Sequence, residues 1–143
     1  MPTAGYSGTP LPRKLGLRAG QRVAVRGPAP DGFLDEVDDV TWLRSLRAPV
    51  DVAIVFVTTT ADYRKHLTAV SGVLAADGAL WVAWPKKSSG MATDLTEDVI
   101  RDIAVGETVL VDNKVCAIDD TWSGLRLVVR VVARPTWPVP ASR

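Results

Sequence analysis

The run Val50–Val57 constrains the fold of this chain more than any other stretch. Apart from Asp51 it is continuously apolar and rich in Val and Ile. A strand that alternates apolar and polar residues can leave one face in water, whereas a strand without alternation has to be covered on both. The natural setting for such a strand is the interior of a parallel α/β sheet, with further layers above and below. At 143 residues the chain is long enough for one domain of that kind.

The flanking sequence supplies the other elements. Gln21–Arg26 reads as a strand between Gly20 and Gly27, preceded by a helical turn over Arg13–Leu17 that Gly16 or Gly20 ends. Pro28, Pro30 and Gly32 then make a loop, Phe33–Val37 a short helix, and Val40–Leu46 a weak edge strand. Tyr63, Leu67, Val70 and Leu74 share one face of a helix over Ala61–Ala76, which Asp77-Gly78 closes. Ala79–Trp84 is a strand stopped by Pro85. Thr93-Asp94 starts the next helix, with Asp94 as cap, Glu97 and Asp98 in the first turn, and Leu95, Val99 and Ile103 as its apolar face. Thr108–Ile118 and Leu125–Ala133 form a hairpin around Asp119-Asp120-Thr121-Trp122-Ser123-Gly124.

These elements predict an α/β, Rossmann-like three-layer sandwich: a mostly parallel sheet with a C-terminal antiparallel hairpin. Residues 1–12 read as a flexible arm, 13–133 as the domain, and 134–143 as a proline-rich extended tail. The order resembles a truncated class I methyltransferase, whose last two strands form such a hairpin. That likeness spans roughly Leu15–Ala133 and concerns the fold, which does not by itself assign a function.

A dinucleotide-binding unit follows its first strand with Gly-x-Gly-x-x-Gly, so that backbone N–H groups reach the phosphates. A related glycine-rich loop lets the methyltransferase backbone approach its cofactor. Here the stretch is Arg26-Gly27-Pro28-Ala29-Pro30-Asp31-Gly32. Pro28 and Pro30 have no N–H to donate. The acidic residue expected at the ribose has only Asp38 and Asp39 as candidates, and these precede the weak strand rather than end it. The expectation is therefore no cofactor, with S-adenosylmethionine as the alternative.

In open α/β sheets ligands sit beyond the carboxyl ends of the parallel strands. Three stretches converge there: Lys86, Lys87, Ser88 and Ser89 after Trp84-Pro85; Thr93 and Asp94 at a helix start; and Thr58 with Thr59 and Thr60 after the apolar strand. Two lysines, several hydroxyls and a helix N-terminus suit a small anion, set against the plainer reading of an exposed loop and a helix cap.

The remaining chemistry-bearing residues carry less. Asp119-Asp120 suits a solvated turn better than a paired-carboxylate site. His66, the one histidine, lies off the apolar helix face, and Cys116, the one cysteine, sits in a strand pattern. No disulfide, zinc site or nucleophile pair follows from them. Trp42, Trp122 and Trp137 lie in weak or loop segments, where they either pack or mark a partner surface. Lys plus Arg number 17 against 16 Asp plus Glu, so no whole-molecule field favours nucleic acid or an anionic membrane. The longest apolar run is far short of the about 20 residues of a membrane span.

Three motifs together resemble a bacterial family catalogued as domain of unknown function 3052: Gly5-Tyr6-Ser7-Gly8-Thr9-Pro10-Leu11 with Lys14-Leu15-Gly16; Trp84-Pro85-Lys86-Lys87 with Thr93-Asp94-Leu95-Thr96-Glu97; and Val115-Cys116-Ala117 with Trp122-Ser123-Gly124-Leu125. The resemblance implies a cytoplasmic bacterial protein and carries over no activity or catalytic residue. The leading expectation is thus a non-catalytic, methyltransferase-like module binding a small anion or a protein partner through Lys86, Lys87, Ser88 and Thr93. The alternatives are an S-adenosylmethionine-dependent enzyme with a non-standard cofactor loop, and a scaffold that dimerises through an edge strand, Trp residues and the proline-rich tails.

Overall fold

The apolar run forms β3, Val50–Phe56, at the centre of the sheet, with every residue but Asp51 buried. A computed structural model describes residues 8–142. Residues 1–7, which hold most of the expected arm and the start of the Gly5–Leu11 motif, lie outside the described residues, as does Arg143. From Val52 on, the side chains of β3 alternate between two cores. Ala53, Val55 and Val57 enter one, and Val52, Ile54 and Phe56 the other. That is the two-sided burial that its lack of alternation demands.

Around β3 lie β1 (Arg22–Arg26), β2 (Thr41–Trp42), β4 (Leu74–Pro85), β5 (Leu110–Ala117) and β6 (Trp122–Val129). The six-stranded sheet runs β2-β1-β3-β4-β6-β5. β2, β1, β3 and β4 are mutually parallel, and β6 and β5 add on antiparallel, as the hairpin pattern implies. One face is covered by α2 (Thr60–Ser71) and α3 (Glu97–Glu107), whose Tyr63, Leu67, Val70, Ile100 and Ile103 pack on the sheet. The Tyr63 hydroxyl, buried, donates to the Ile100 carbonyl at 2.9 Å and so joins the two helices.

The opposite layer is thin. It consists of the four-residue helix α1 (Leu11–Lys14) and turns over residues 31–36. Leu15, Leu34 and Val37 carry it into the second core. Trp81, fully buried on β4, donates its Nε1 to the Leu15 carbonyl at 2.9 Å and pins the N-terminal segment to the sheet.

Several boundaries differ from the sequence expectation. α2 stops at Ser71, with Gly72 after it, and Leu74–Ala76 belong to β4. Leu74 satisfies the helical spacing of Tyr63, Leu67 and Val70, but it pairs with Val50 across the sheet. Asp77-Gly78 is therefore not a helix stop. It sits where the β3–β4 register shifts. A Cβ on Gly78 would lie 2.9 Å from the Asp51 carbonyl oxygen, so the bulge needs a residue without a side chain. Phe33–Val37 forms successive turns instead of a helix, because Leu34 takes a left-handed φ of 58°. Val40–Leu46 contributes only the two residues of β2. α3 starts at Glu97 under Thr96, whose Oγ1 accepts from the Val99 amide at 3.2 Å, and not under Asp94.

The C-terminal segment does not extend away from the domain. After a 3-10 turn over Val131–Thr136, Trp137 donates its Nε1 to the Leu74 carbonyl at 2.7 Å, and the Ala76 amide donates to the Val139 carbonyl at 3.1 Å. The strap covers the first half of β4. Among the described residues, no helix is long and apolar enough to cross a membrane.

Replacing Gly78 by Ala forces the new Cβ against strand backbone that has no room to yield. The expected result is a loss of about 1–3 kcal/mol, read as a lower urea midpoint at unchanged slope.

Candidate functional site

Two places lie at the carboxyl ends of the parallel strands: the turn after β1 and the loop after β4. Gly27 opens the first. Its φ of 87° is left-handed, and a Cβ there would lie 2.1 Å from the Phe56 carbonyl oxygen. The turn is thus pressed onto the end of β3, an approach only glycine permits. Pro28 and Pro30 offer no N–H, and the Ala29 amide between them donates back to the Gly27 carbonyl at 2.8 Å. These positions turn no donor toward a ligand.

Beyond them an open cavity of about 710 Å³ lies between β1, the short β2 and the turns over 29–38. Its walls include Val25, Phe33, Trp42 and the carboxylate-bearing Asp31, Asp35 and Asp38. Trp42 stands on the same face as its sheet neighbour Val23. Its Nε1 donates to the Val37 carbonyl at 2.9 Å, which fixes the indole while leaving it 39% exposed. Phe33 meets Phe56 edge-on at 5.0 Å between ring centres, and Phe56 meets Trp122 likewise. Phe33 in the cavity wall is thus anchored through edge-on aromatic contacts to the core beneath. Leu34, the one non-glycine residue at positive φ among the described residues, lies in the cavity wall, and backbone strain of this kind clusters at ligand sites. Of the two weak ribose candidates, Asp38 lines the cavity, while the Asp39 carbonyl accepts from the Gly20 amide.

The loop after β4 brings Thr58, Thr93 and Asp94 together, as the sequence suggests, but engages their polar atoms with the protein itself. Thr93 Oγ1 donates to the Thr58 carbonyl at 2.6 Å and accepts from the Leu95 amide. Asp94 Oδ1 accepts from the Thr60 amide at 2.8 Å, so Asp94 caps α2 and not its own helix. Thr59 Oγ1 takes the Asp62 amide at the same helix end. Together they brace the loop after β3 to the loop after β4. Ser89 closes its own 3-10 turn by donating to the Lys86 carbonyl at 2.7 Å. Lys87 and Ser88 are exposed and Lys86 half-buried.

The other candidates resolve into structure. Asp119 Oδ1 accepts from the Thr121 and Trp122 amides at 2.8 and 2.7 Å, a turn-building role, and Trp122 is buried as the first residue of β6. His66 Nε2 lies 3.7 Å from Asp62 Oδ1, one turn away on α2. Burial pushes the Cys116 thiol up, against the opposing pull of Lys14 and Lys114, and so holds it protonated at neutral pH. Among the described residues, no three His, Cys, Asp or Glu side chains are grouped to hold a metal. Phe33, Trp42, Asp31 and Asp35 line this cavity without being among the site candidates that the sequence offers. Their signal was the acidic, aromatic-flanked segment Asp31–Asp39, whose composition reads as a solvated loop.

Asp94→Ala removes one of the two side-chain links between the strand-end loops, leaving that from Thr93 to Thr58, and deprives the Thr60 amide of its partner. A loss of about 0.5–2 kcal/mol is expected, whereas Lys87→Ala on the same loop stays within about 0.5 kcal/mol. Thermal unfolding of the two variants makes the comparison.

The sequence matches no family model and no curated protein, and the three motifs alone carry the family resemblance noted above. Solved structures do match. A putative type 11 methyltransferase from Sulfolobus solfataricus is similar at a TM-score of 0.54 and 16% identity, over 85% of this chain and 90% of that one. TrmN from Thermus thermophilus is similar at 0.54 and 10%, over 84% of this chain and 47% of the other. A mutant form of MtNAS is similar at 0.53 and 11%, over 82% and 56%. The chain thus spans about half the length of these last two. At such identities the common property is the fold, and this chain has a methyltransferase-like Rossmann fold with its antiparallel C-terminal hairpin.

Proposed function

We propose that this chain is a methyltransferase-like domain that binds an S-adenosyl compound in the cavity beside β1 and β2, held by side chains in place of backbone amides. The cavity carries the reading. It lies at the carboxyl ends of the first two parallel strands, where this sheet type receives ligands, and its volume of about 710 Å³ falls within the usual range for small-molecule sites. An S-adenosyl compound has no phosphate to cradle, so the missing loop amides matter less for it than for a dinucleotide. Asp31, Asp35 and Asp38 are acceptors for ribose hydroxyls and for an ammonium group, and their negative charge favours a sulfonium. Trp42 offers a fixed aromatic face for a base. S-adenosylmethionine bound there would supply a sulfonium methyl group, and these side chains would hold and orient it.

Isothermal titration with S-adenosylmethionine, S-adenosylhomocysteine and adenosine tests this. Saturable binding is expected, tighter for the cationic methyl donor than for the neutral product. Trp42→Ala is expected to weaken it by the about 1–3 kcal/mol of base stacking on an aromatic ring, and Asp38→Asn to narrow the preference for the cation. Heat signals that never saturate with any of the three would sink the reading.

A second reading, a non-catalytic module for a small anion, rests on Lys86 and Lys87. Among the described residues neither ammonium enters a hydrogen bond or ion pair, and both lie at the carboxyl end of β4. It predicts that phosphate raises the melting temperature of the parent and not of Lys86→Ala/Lys87→Ala.

A further inference from the structure

The face of the sheet behind α1 gathers cations without carboxylates. A cleft of about 630 Å³ opens between the segment Arg13–Arg18 and β6, with Arg13, Arg18 and Arg126 on its walls beside Pro12 and Leu17. A neighbouring cleft of about 440 Å³ shares Arg13 and adds Lys14 and Lys114. Lys114 pairs directly with Arg126 across β5 and β6. No Asp or Glu lines either cleft, and among the described residues no ion pair uses any of these cations.

The local bonding leaves the positive charge uncompensated. Lys14 donates to the Ala117 carbonyl at 2.8 Å and Lys114 to the Lys14 carbonyl at 3.0 Å, both neutral acceptors. Arg126 donates one NH1 bond to Asn113 Oδ1 at 3.1 Å, again to a neutral group. Arg126 is half-buried, and burial together with Arg134 and Arg18 makes its charged form less favourable than usual. Neutral acceptors hold the side chains in place and leave the summed charge for a ligand. A guanidinium presents its donors as a planar fork that matches two oxygens of a phosphate.

We propose that this cleft is a second ligand site, for a small molecule bearing a diphosphate, with Arg126 at its floor and Arg13 and Arg18 at its rim. A diphosphate fits better than a single phosphate because cations converge from two separate elements across adjoining clefts. A nucleic acid fits less well. The chain's net charge is only +1, and the acidic segment Asp31–Asp39 repels an extended polyanion. The site lies on the sheet face behind α1, apart from the cavity at the strand ends, and does not depend on the reading given for that cavity.

Titration with inorganic pyrophosphate, alongside thermal unfolding, is the test. One saturable site and a rise in melting temperature are expected. Arg126→Gln and Arg18→Gln should each weaken binding roughly ten- to a hundredfold, the range for losing charge-assisted hydrogen bonds. Lys65→Gln, an equal charge loss on the exposed side of α2, should leave it unchanged. Arg18 lies on an exposed segment, so its variant keeps the test decisive should Arg126→Gln unfold. No saturable binding overturns the proposal, as does an equal loss in Lys65→Gln. It is also overturned by loss in Lys86→Ala/Lys87→Ala with retention in Arg126→Gln, or by binding of single-stranded DNA alone with steep salt dependence.

Discussion

Everything in this fold depends on hiding both faces of β3. Its alternate side chains feed two cores, and a strand so placed holds up only if each face has its own cover. On one side that cover is conventional, two capped amphipathic helices locked by Tyr63. On the other it is economical: four helical residues, a set of turns and the indole of Trp81 reaching up to Leu15. The thin layer has a structural consequence. Where a regular helix would lie on β1, the chain turns over on itself and leaves the cavity walled by Trp42 and the carboxylates.

The near-neutral total charge conceals a polarised surface. Asp31, Asp35, Glu36, Asp38 and Asp39 crowd the turns near β2, whereas Arg13, Lys14, Arg18, Lys114, Arg126 and Arg134 gather around α1 and the hairpin. Summing charges along a chain removes this information. Two regions of opposite sign therefore lie on one sheet, and neither includes Pro28, which follows the first strand.

Much of the architecture was legible because it follows from local periodicity. β3 follows from a short, unbroken apolar run rich in Val and Ile, the helix face of Tyr63, Leu67 and Val70 from its spacing, and the hairpin and mostly parallel sheet from the order of the elements. The failures have particular causes. Leu74 fits the helix at i+11 and also fits a strand, and its partner Val50 decided between them. Asp77-Gly78 looks like a helix stop in any sequence, but here it is a bulge against the Asp51 carbonyl. Asp94 has the composition of a cap for the helix that follows it, and it caps the helix before it, 34 residues earlier in the chain. Such non-local bonds leave no trace in spacing.

The sequence by itself determined the layer architecture and the defect in the loop after β1. Apolar periodicity dictates which surfaces must be buried, and proline lacks a donor in any context. Only the tertiary structure decided where concave, charged surface appears. Trp42 becomes a cavity wall because the Val37 carbonyl holds its indole, and Arg126 meets Arg18 because β6 passes beneath the segment leaving α1. Those encounters join residues far apart in the chain, and their energetics depend on the neighbours that folding brings, not on the residues that adjoin them in sequence.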